Sequence, residues 1–255
     1  MTPKTRNDAD QMERSGYLPA LRNIAQQCCA PFWWHGLDIT GNYRILHNGT
    51  VCFLRTKSHL FAVTAHHVLE RYEIELSADP QLHCQFGGST VQPEKSVIAR
   101  SKDLDLATLS VPEVQIAAIR VSAHAPLVWP VPPVRMKEVL LYGGYPGSLR
   151  TEGEPIAELP FQWFVGSPLS ITPSYVKLRV DFEDFHQPLK STEEINTILG
   201  GISGGPVFRF VPAPPIERLE LIGFIVESEP SLGLVLVRPA HCITADGLLD
   251  HDAAA

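Results

Sequence analysis

The chain has 255 residues, a net charge of −7, and 44% hydrophobic against 19% charged residues, the balance of a soluble globular protein with a sizeable core. No lysine or arginine block supplies the electrostatic footprint of a nucleic-acid-binding protein, and no apolar run nears the roughly 20 residues that span a bilayer. Neither nucleic acid nor membrane is an expected partner.

The amino terminus is polar and lacks the hydrophobic region of a signal peptide, so a cytoplasmic location is expected. Cys28, Cys29, Cys52, Cys84 and Cys242 are odd in number and irregular in spacing, which is no disulfide framework. Without a Cys-x-x-Cys pair they read as idle or buried thiols, and neither a metal nor another cofactor is expected. The 22 prolines and 18 glycines, spread along the chain, favour many short elements and β-rich structure over a helix bundle.

In chain order, residues 1–16 read as an arm. Tyr17, Leu18, Leu21, Ile24, Ala25 and Cys28 then recur at helical spacing, giving a short amphipathic helix that Pro31 stops. Phe32-Trp33-Trp34 is apolar enough for core. Short β-like runs follow at Tyr43–Leu46, Thr50–Arg55, Leu60–Thr64, Gln81–Phe86, Thr90–Val91, Ser96–Ala99 and Leu104–Ser110, with His47-Asn48-Gly49 read as a turn between the first two.

A proline-rich connection precedes a second set at Glu138–Gly143, Phe161–Val165, Ser174–Val180, Pro206–Phe210, Leu219–Val226 and Gly233–Val237. Two successive sets of about six short strands predict an all-β chain of two packed antiparallel β-barrels. The expected divisions are 1–36 for arm and helix, 37–125 for the first barrel, 126–137 for the connection, 138–247 for the second barrel and 248–255 for a frayed tail.

Three stretches carry candidate chemistry. Leu60-Phe61-Ala62-Val63-Thr64-Ala65 is an apolar strand that delivers His66-His67 at its end, and either ring is a candidate base. In Asp103-Leu104-Asp105-Leu106, strand alternation puts both carboxylates on one face. In Gly200-Gly201-Ile202-Ser203-Gly204-Gly205-Pro206, glycines let the chain turn sharply, lift the Ser203 hydroxyl and aim the N–H groups of Gly201 and Ser203 at a developing oxyanion. A serine hydroxyl is a weak nucleophile until a histidine takes its proton, and that histidine needs a carboxylate to fix its tautomer. Each stretch alone also suits a plain turn or strand end. The order His, Asp, Ser is what combines them.

Val63-Thr64-Ala65-His66-His67-Val68 resembles the Thr-Ala-Ala-His segment of trypsin-like (chymotrypsin-fold) serine proteases, and Asp105-Leu106-Ala107-Thr108-Leu109 resembles their Asp-x-Ala-x-Leu segment. Gly201 to Pro206 resembles their nucleophile loop, Leu141 to Gly147 the opening of the second barrel in bacterial members, and Gly223 to Val226 the strand lining the cleft. The resemblance spans roughly Gly49 to Val237 and implies a member without disulfides.

It makes His67 the general base, with His66 in place of the second alanine. Asp105 becomes the orienting carboxylate, with Asp103 as stand-in. Ser203 is the nucleophile, and the amides of Gly201 and Ser203 form the oxyanion hole. It implies substrate contacts at Thr197, Ile225, Val226 and Ser228, a neutral pocket floor, and a preference for small or medium apolar side chains. Glu193, Glu194 and Glu227 lie near the rim.

Ile202 stands where many zymogen-activated relatives carry an aspartate, so activation by a freshly cut amino terminus is not expected. The expected function is therefore a serine endopeptidase acting through an acyl-enzyme on protein or peptide substrates. A catalytically silent fold that binds peptide or a partner protein is the alternative. An unregulated peptidase in the cytoplasm would be harmful, which leads to the expectation of a regulatory partner, or of a Gly200–Ile202 turn that rests unproductive.

Overall fold

A computed structural model of the chain describes residues 16–37, 43–153, 156–179, 199–211, 218–229 and 232–254. Helix α1 (Tyr17–Gln27) buries Leu21 and Ala25, as its spacing predicts, but leaves Ile24, counted on the same apolar face, exposed. The chain then turns at Cys28 directly into strand β1 (Cys29–Leu37), within the stretch expected to be arm and helix. Phe32 and Trp34 point inward, while Pro31, Trp33 and His35 alternate on the half-buried face. Pro31 is thus a strand residue rather than a helix stop, and the first sheet begins at Cys29.

Strand β2 (Tyr43–Arg55) runs unbroken through Asn48-Gly49, which is therefore not a turn. Its register with β1 slips once, between Trp34 and His35. Gly49 is needed for packing, since a Cβ there would lie 2.5 Å from a methyl of Val68. Strand β3 (Leu60–Ala65) leads straight into α2 (His66–Ala78), a helix the residues Val68, Leu69 and Tyr72 bury against the sheet. Strands β4 (His83–Phe86), β5 (Ser89–Val91), β6 (Val97–Ser101) and β7 (Leu106–Ser110) complete an antiparallel sheet in the order β5-β4-β1-β2-β3-β7-β6, and α3 (Glu113–Ile119) follows.

The second half holds β8 (Leu140–Gly144), the small hairpin β9 (Thr151–Gly153) and β10 (Ile156–Glu158), β11 (Gln162–Gly166), β12 (Pro168–Ile171), β13 (Val176–Arg179), β14 (Pro206–Val211), β15 (Arg218–Glu229) and β16 (Leu234–Pro239). Its sheet order is β11-β8-β14-β15-β16-β13-β12, again antiparallel. The molecule is mostly β, with two curled sheets of seven strands each and a few short helices. The expectation of six strands per unit falls short because β1 and β12 were not read as strands.

Each sheet covers its own core: Phe32, Trp34, Phe53, Leu69 and Tyr72 in the first half, and Tyr142, Leu178, Val207 and Val237 in the second. A third cluster joins the halves, with Cys28, Cys52, Leu54, Phe61 and Val63 meeting Leu141, Phe208, Leu221 and Phe224. Burying side chains of this size contributes roughly 1.5–3 kcal/mol each, so this shared cluster is enough to hold the two sheets together. The end of the chain is also ordered: Thr244 and Leu248 exchange backbone and hydroxyl bonds, and the Asp250 amide donates to the Cys242 carbonyl.

Candidate functional site

The β3–α2 junction positions His67. Ala65 stays extended at φ −71°, ψ 143° and offers no capping side chain, so the first amides of α2 need acceptors from elsewhere. Asp105 provides them. Its backbone carbonyl accepts from the His66 amide at 3.1 Å, and its Oδ1 accepts from the His67 amide at 2.9 Å. Its other oxygen, Oδ2, lies 2.8 Å from His67 Nδ1.

A carboxylate only accepts, so the proton sits on Nδ1 and the lone pair of neutral His67 is on Nε2. The ring is about half exposed, and among the described residues Nε2 has no hydrogen-bond partner. Asp105 and Asp103 do not sit on a strand, as alternation suggested, but in the tight turn between β6 and β7. There the Asp105 amide bonds the Lys102 carbonyl and the residue adopts φ 51°. Aspartate tolerates this left-handed conformation better than most residues.

The two candidates left open by sequence separate clearly. Asp103 is exposed and contributes only its carbonyl, to Arg238. His66 is turned inward: its ring is buried, its Nδ1 has no hydrogen-bond partner among the described residues, and its Nε2 lies 3.7 Å from Glu70. Sequence reasoning missed Arg238 altogether. This buried guanidinium donates to the carbonyls of Leu104 (2.7 Å), Asp103 (3.1 Å) and Ser174 (2.5 Å), and so fastens the Asp105 turn to the second sheet.

Ser203 lies on the loop that enters β14. The loop is wedged against the strands that lead to His67: the Thr50 amide donates to the Ser203 carbonyl at 2.8 Å. A Cβ on Gly204 would run into the Thr50 carbonyl oxygen and lie 2.7 Å from the hydroxyl of Thr64, three residues before His67. With φ 89° at the same position, glycine is required twice over.

Four successive carbonyls of the loop are tied into the protein. That of Gly200 accepts from the Gly147 amide (2.8 Å), that of Gly201 from the Thr50 hydroxyl (3.0 Å), that of Ile202 from the Gly205 amide (2.9 Å), and that of Ser203 from Thr50. In a trans peptide the N–H points opposite to the carbonyl before it. The amides of Gly201 and Ser203 are therefore turned away from Gly147 and Gly205, and among the described residues neither donates to a backbone carbonyl. Such a pair of outward amides suits an oxyanion. Each of these carbonyls has a donor, so a rearrangement of the Gly200–Ile202 turn has to break at least one of these bonds. Among the described residues no hydrogen bond joins the Ser203 hydroxyl to His67.

Ile225 and Val226 are core residues of β15, so their side chains do not face a bound molecule, and the Ile225 amide and carbonyl are already bonded to Gly205 and Gly204 at 2.8 and 2.7 Å. Ser228 is half buried on the same strand. Pairing with β14 ends at Phe224, and from Glu227 to Glu229 the strand pairs with β16 alone. Thr197, Glu193 and Glu194 lie outside the described residues. No group of three or more His, Cys, Asp or Glu side chains with metal-binding geometry occurs among the described residues. In comparisons with known proteins, neither a family model nor a curated protein matches the chain.

Proposed function

We propose that this chain is a serine endopeptidase of the trypsin-like, double-barrel type, with Ser203, His67 and Asp105 as its catalytic residues. The observation that carries the reading is the double grip of Asp105 on His67, which leaves Nε2 as the basic atom, together with a glycine loop that is fastened to Thr50 and packed on Thr64 of the strand leading into His67. In this mechanism Ser203 Oγ attacks the peptide carbonyl while its proton passes to His67 Nε2. The negative charge gathers on the carbonyl oxygen, against the amides of Gly201 and Ser203.

The C–N bond then breaks as His67 returns the proton to the leaving amine, giving an acyl ester on Ser203. Water attacks that ester, passing its proton to Nε2, and the C–O bond to Ser203 breaks to release the acid and restore the hydroxyl. Asp105 keeps the ring in one tautomer and stabilises the imidazolium. Beyond Ile225, whose amide and carbonyl are bonded to the glycine loop, the edge of β15 from Glu227 to Glu229 has no strand partner on the β14 side among the described residues, which suits a protein or peptide substrate added as one more strand.

A silent peptide-binding module is the second reading, favoured by the missing Ser203–His67 hydrogen bond, although such bonds are often long before substrate binds. Labelling with a fluorophosphonate probe separates the two. Stable modification of Ser203 in the folded protein, abolished in Ser203→Ala, supports the peptidase; intact Ser203 supports the binder. With a substrate selected from a peptide library, Ser203→Ala is expected to lower kcat by roughly 10⁶.

A further inference from the structure

The glycine loop raises a problem that its own sequence does not solve. Gly200 and Gly201 carry no side chain, and glycine crosses φ/ψ space more freely than any other residue. Gly201 holds φ 97°, so some contact outside the loop must select that conformation. Gly147 fixes the peptide before Gly201. The peptide after it is held at its carbonyl by the Thr50 hydroxyl, which donates to Gly201 at 3.0 Å, while its Ile202 amide makes only a long bond, 3.5 Å, to the Leu199 carbonyl.

That hydroxyl is itself oriented. It accepts from the Tyr145 amide at 3.0 Å, so its single proton is left for Gly201. Thr50 is fully buried on β2, and a β-branched side chain has little χ1 freedom. The strands approach closely enough for these bonds because Gly144 has no Cβ: one would lie 2.6 Å from Thr50 Oγ1 and 2.8 Å from Ile202 Cα. Asn48 braces the same corner, donating from Nδ2 to the Tyr145 carbonyl at 2.6 Å and occupying the space that a Cβ on Gly201 would need. The Thr50 backbone completes the connection, with its amide on the Ser203 carbonyl and its carbonyl on the Thr64 hydroxyl at 2.8 Å.

We propose that Thr50 is a positioning residue whose hydroxyl holds the Gly201–Ile202 peptide, the link between the Gly201 and Ser203 amides that face the oxyanion site. Here an uncharged hydroxyl from the first sheet does this work, at a loop where Ile202 has no charge with which to form an ion pair. The proposal rests on the peptidase reading for its catalytic consequence, and on the loop geometry alone for its structural one.

The test compares the full-length protein with Thr50→Val, which keeps the shape and loses the hydroxyl, and Thr50→Ser, which keeps the hydroxyl. Fluorophosphonate labelling of Ser203 in Thr50→Val is expected to slow by about 10²-fold, the scale of one oxyanion donor, with kcat on a cleaved peptide falling likewise and KM little changed. Thr50→Ser is expected to regain most of that rate. A Thr50→Val protein that labels at the wild-type rate, or a Thr50→Ser protein as slow as the valine variant, overturns the proposal.

If wild type itself is not labelled, the peptidase reading fails, and a crystal structure of Thr50→Val still decides the positioning role. A Gly201–Ile202 peptide turned from its wild-type orientation supports the role, and an unchanged peptide removes it. Thermal unfolding of all three proteins separates slow labelling from loss of fold.

Discussion

The two sides of the site are built by different means. On the His67 side the parts belong to one sheet: β3 runs into α2, the β6–β7 turn lies beside it, and one carboxylate grips both the amide and the ring of the same residue. On the Ser203 side the loop belongs to the second sheet, while two of its four carbonyl bonds come from Thr50 of the first, one of them across a separation of 151 residues. A histidine at a helix start can be set by secondary structure and one acceptor. A run of glycines has no side chains of its own to fix it and must borrow them.

The largest expected effect tests the first side. In Asp105→Asn the amide oxygen still accepts from the His67 backbone, but the amide nitrogen then faces Nδ1 and donates to it. The imidazole proton moves to Nε2 and the base is lost. On the peptidase reading, kcat falls by about 10⁴ while the fold survives. Steady-state cleavage checks this, and near-normal turnover in Asp105→Asn would break the single-carboxylate account of the His67 side. His66→Ala sharpens it: with His66 turned toward Glu70, its loss should leave far more activity than His67→Ala.

The second side is tested by stability. Gly204→Ala places a Cβ against the Thr50 carbonyl in a left-handed backbone, and is expected to cost more than about 2 kcal/mol in urea unfolding. Gly88→Ala is the control, because a Cβ there meets nothing within 4 Å. If the two variants unfold alike, the loop is not wedged between the sheets as described.

The smallest effect concerns the seam between the sides. His124 bridges to Leu54 on β2 and stacks edge-on against Phe208 at 5.2 Å, with its Nε2 making no hydrogen bond among the described residues. Burial holds its pKa below the ordinary value, outweighing the upward pull of Cys28 and Glu220. Between the lowered folded value and the unfolded one, about 6.5, the unfolded chain binds more protons, so stability is full above that pH and falls as pH drops through it. His124→Phe should flatten this slope in urea midpoints measured between pH 7 and 5. An equally steep slope in the variant assigns it to other groups.

Much of the architecture was legible because alternation and apolar runs are local. Strands β3, β8, β11 and β14 to β16 fall where their residues indicate. Helix α2 was missed at a place where His66-His67 drew attention to the strand end, although Val68, Leu69 and Tyr72 already carry the helical spacing. Pro31 and Asn48-Gly49 misled because proline and Asn-Gly are turn signals on average; here one lies in a strand and the other lets α2 press onto β2. His67, Asp105 and Ser203 were named from their order, and the resemblance picked His67 from the pair.

Thr50 and Arg238 were not visible. Their bonds join residues 151 and 134 positions apart, and contacts that distant leave no local pattern in one sequence.

The thiols have a use that follows from where they lie. All five cysteines are buried and unpaired; Cys28, Cys29, Cys52 and Cys242 belong to the cluster shared by the sheets, with Cys28 and Cys52 sulfurs 4.0 Å apart, while Cys84 belongs to the first core. An alkylating reagent can reach the four only when the halves part, and Cys84 only when the first sheet opens. Two alkylation clocks, read by mass spectrometry on the unmodified protein, would therefore time the parting of the halves separately from the melting of either one.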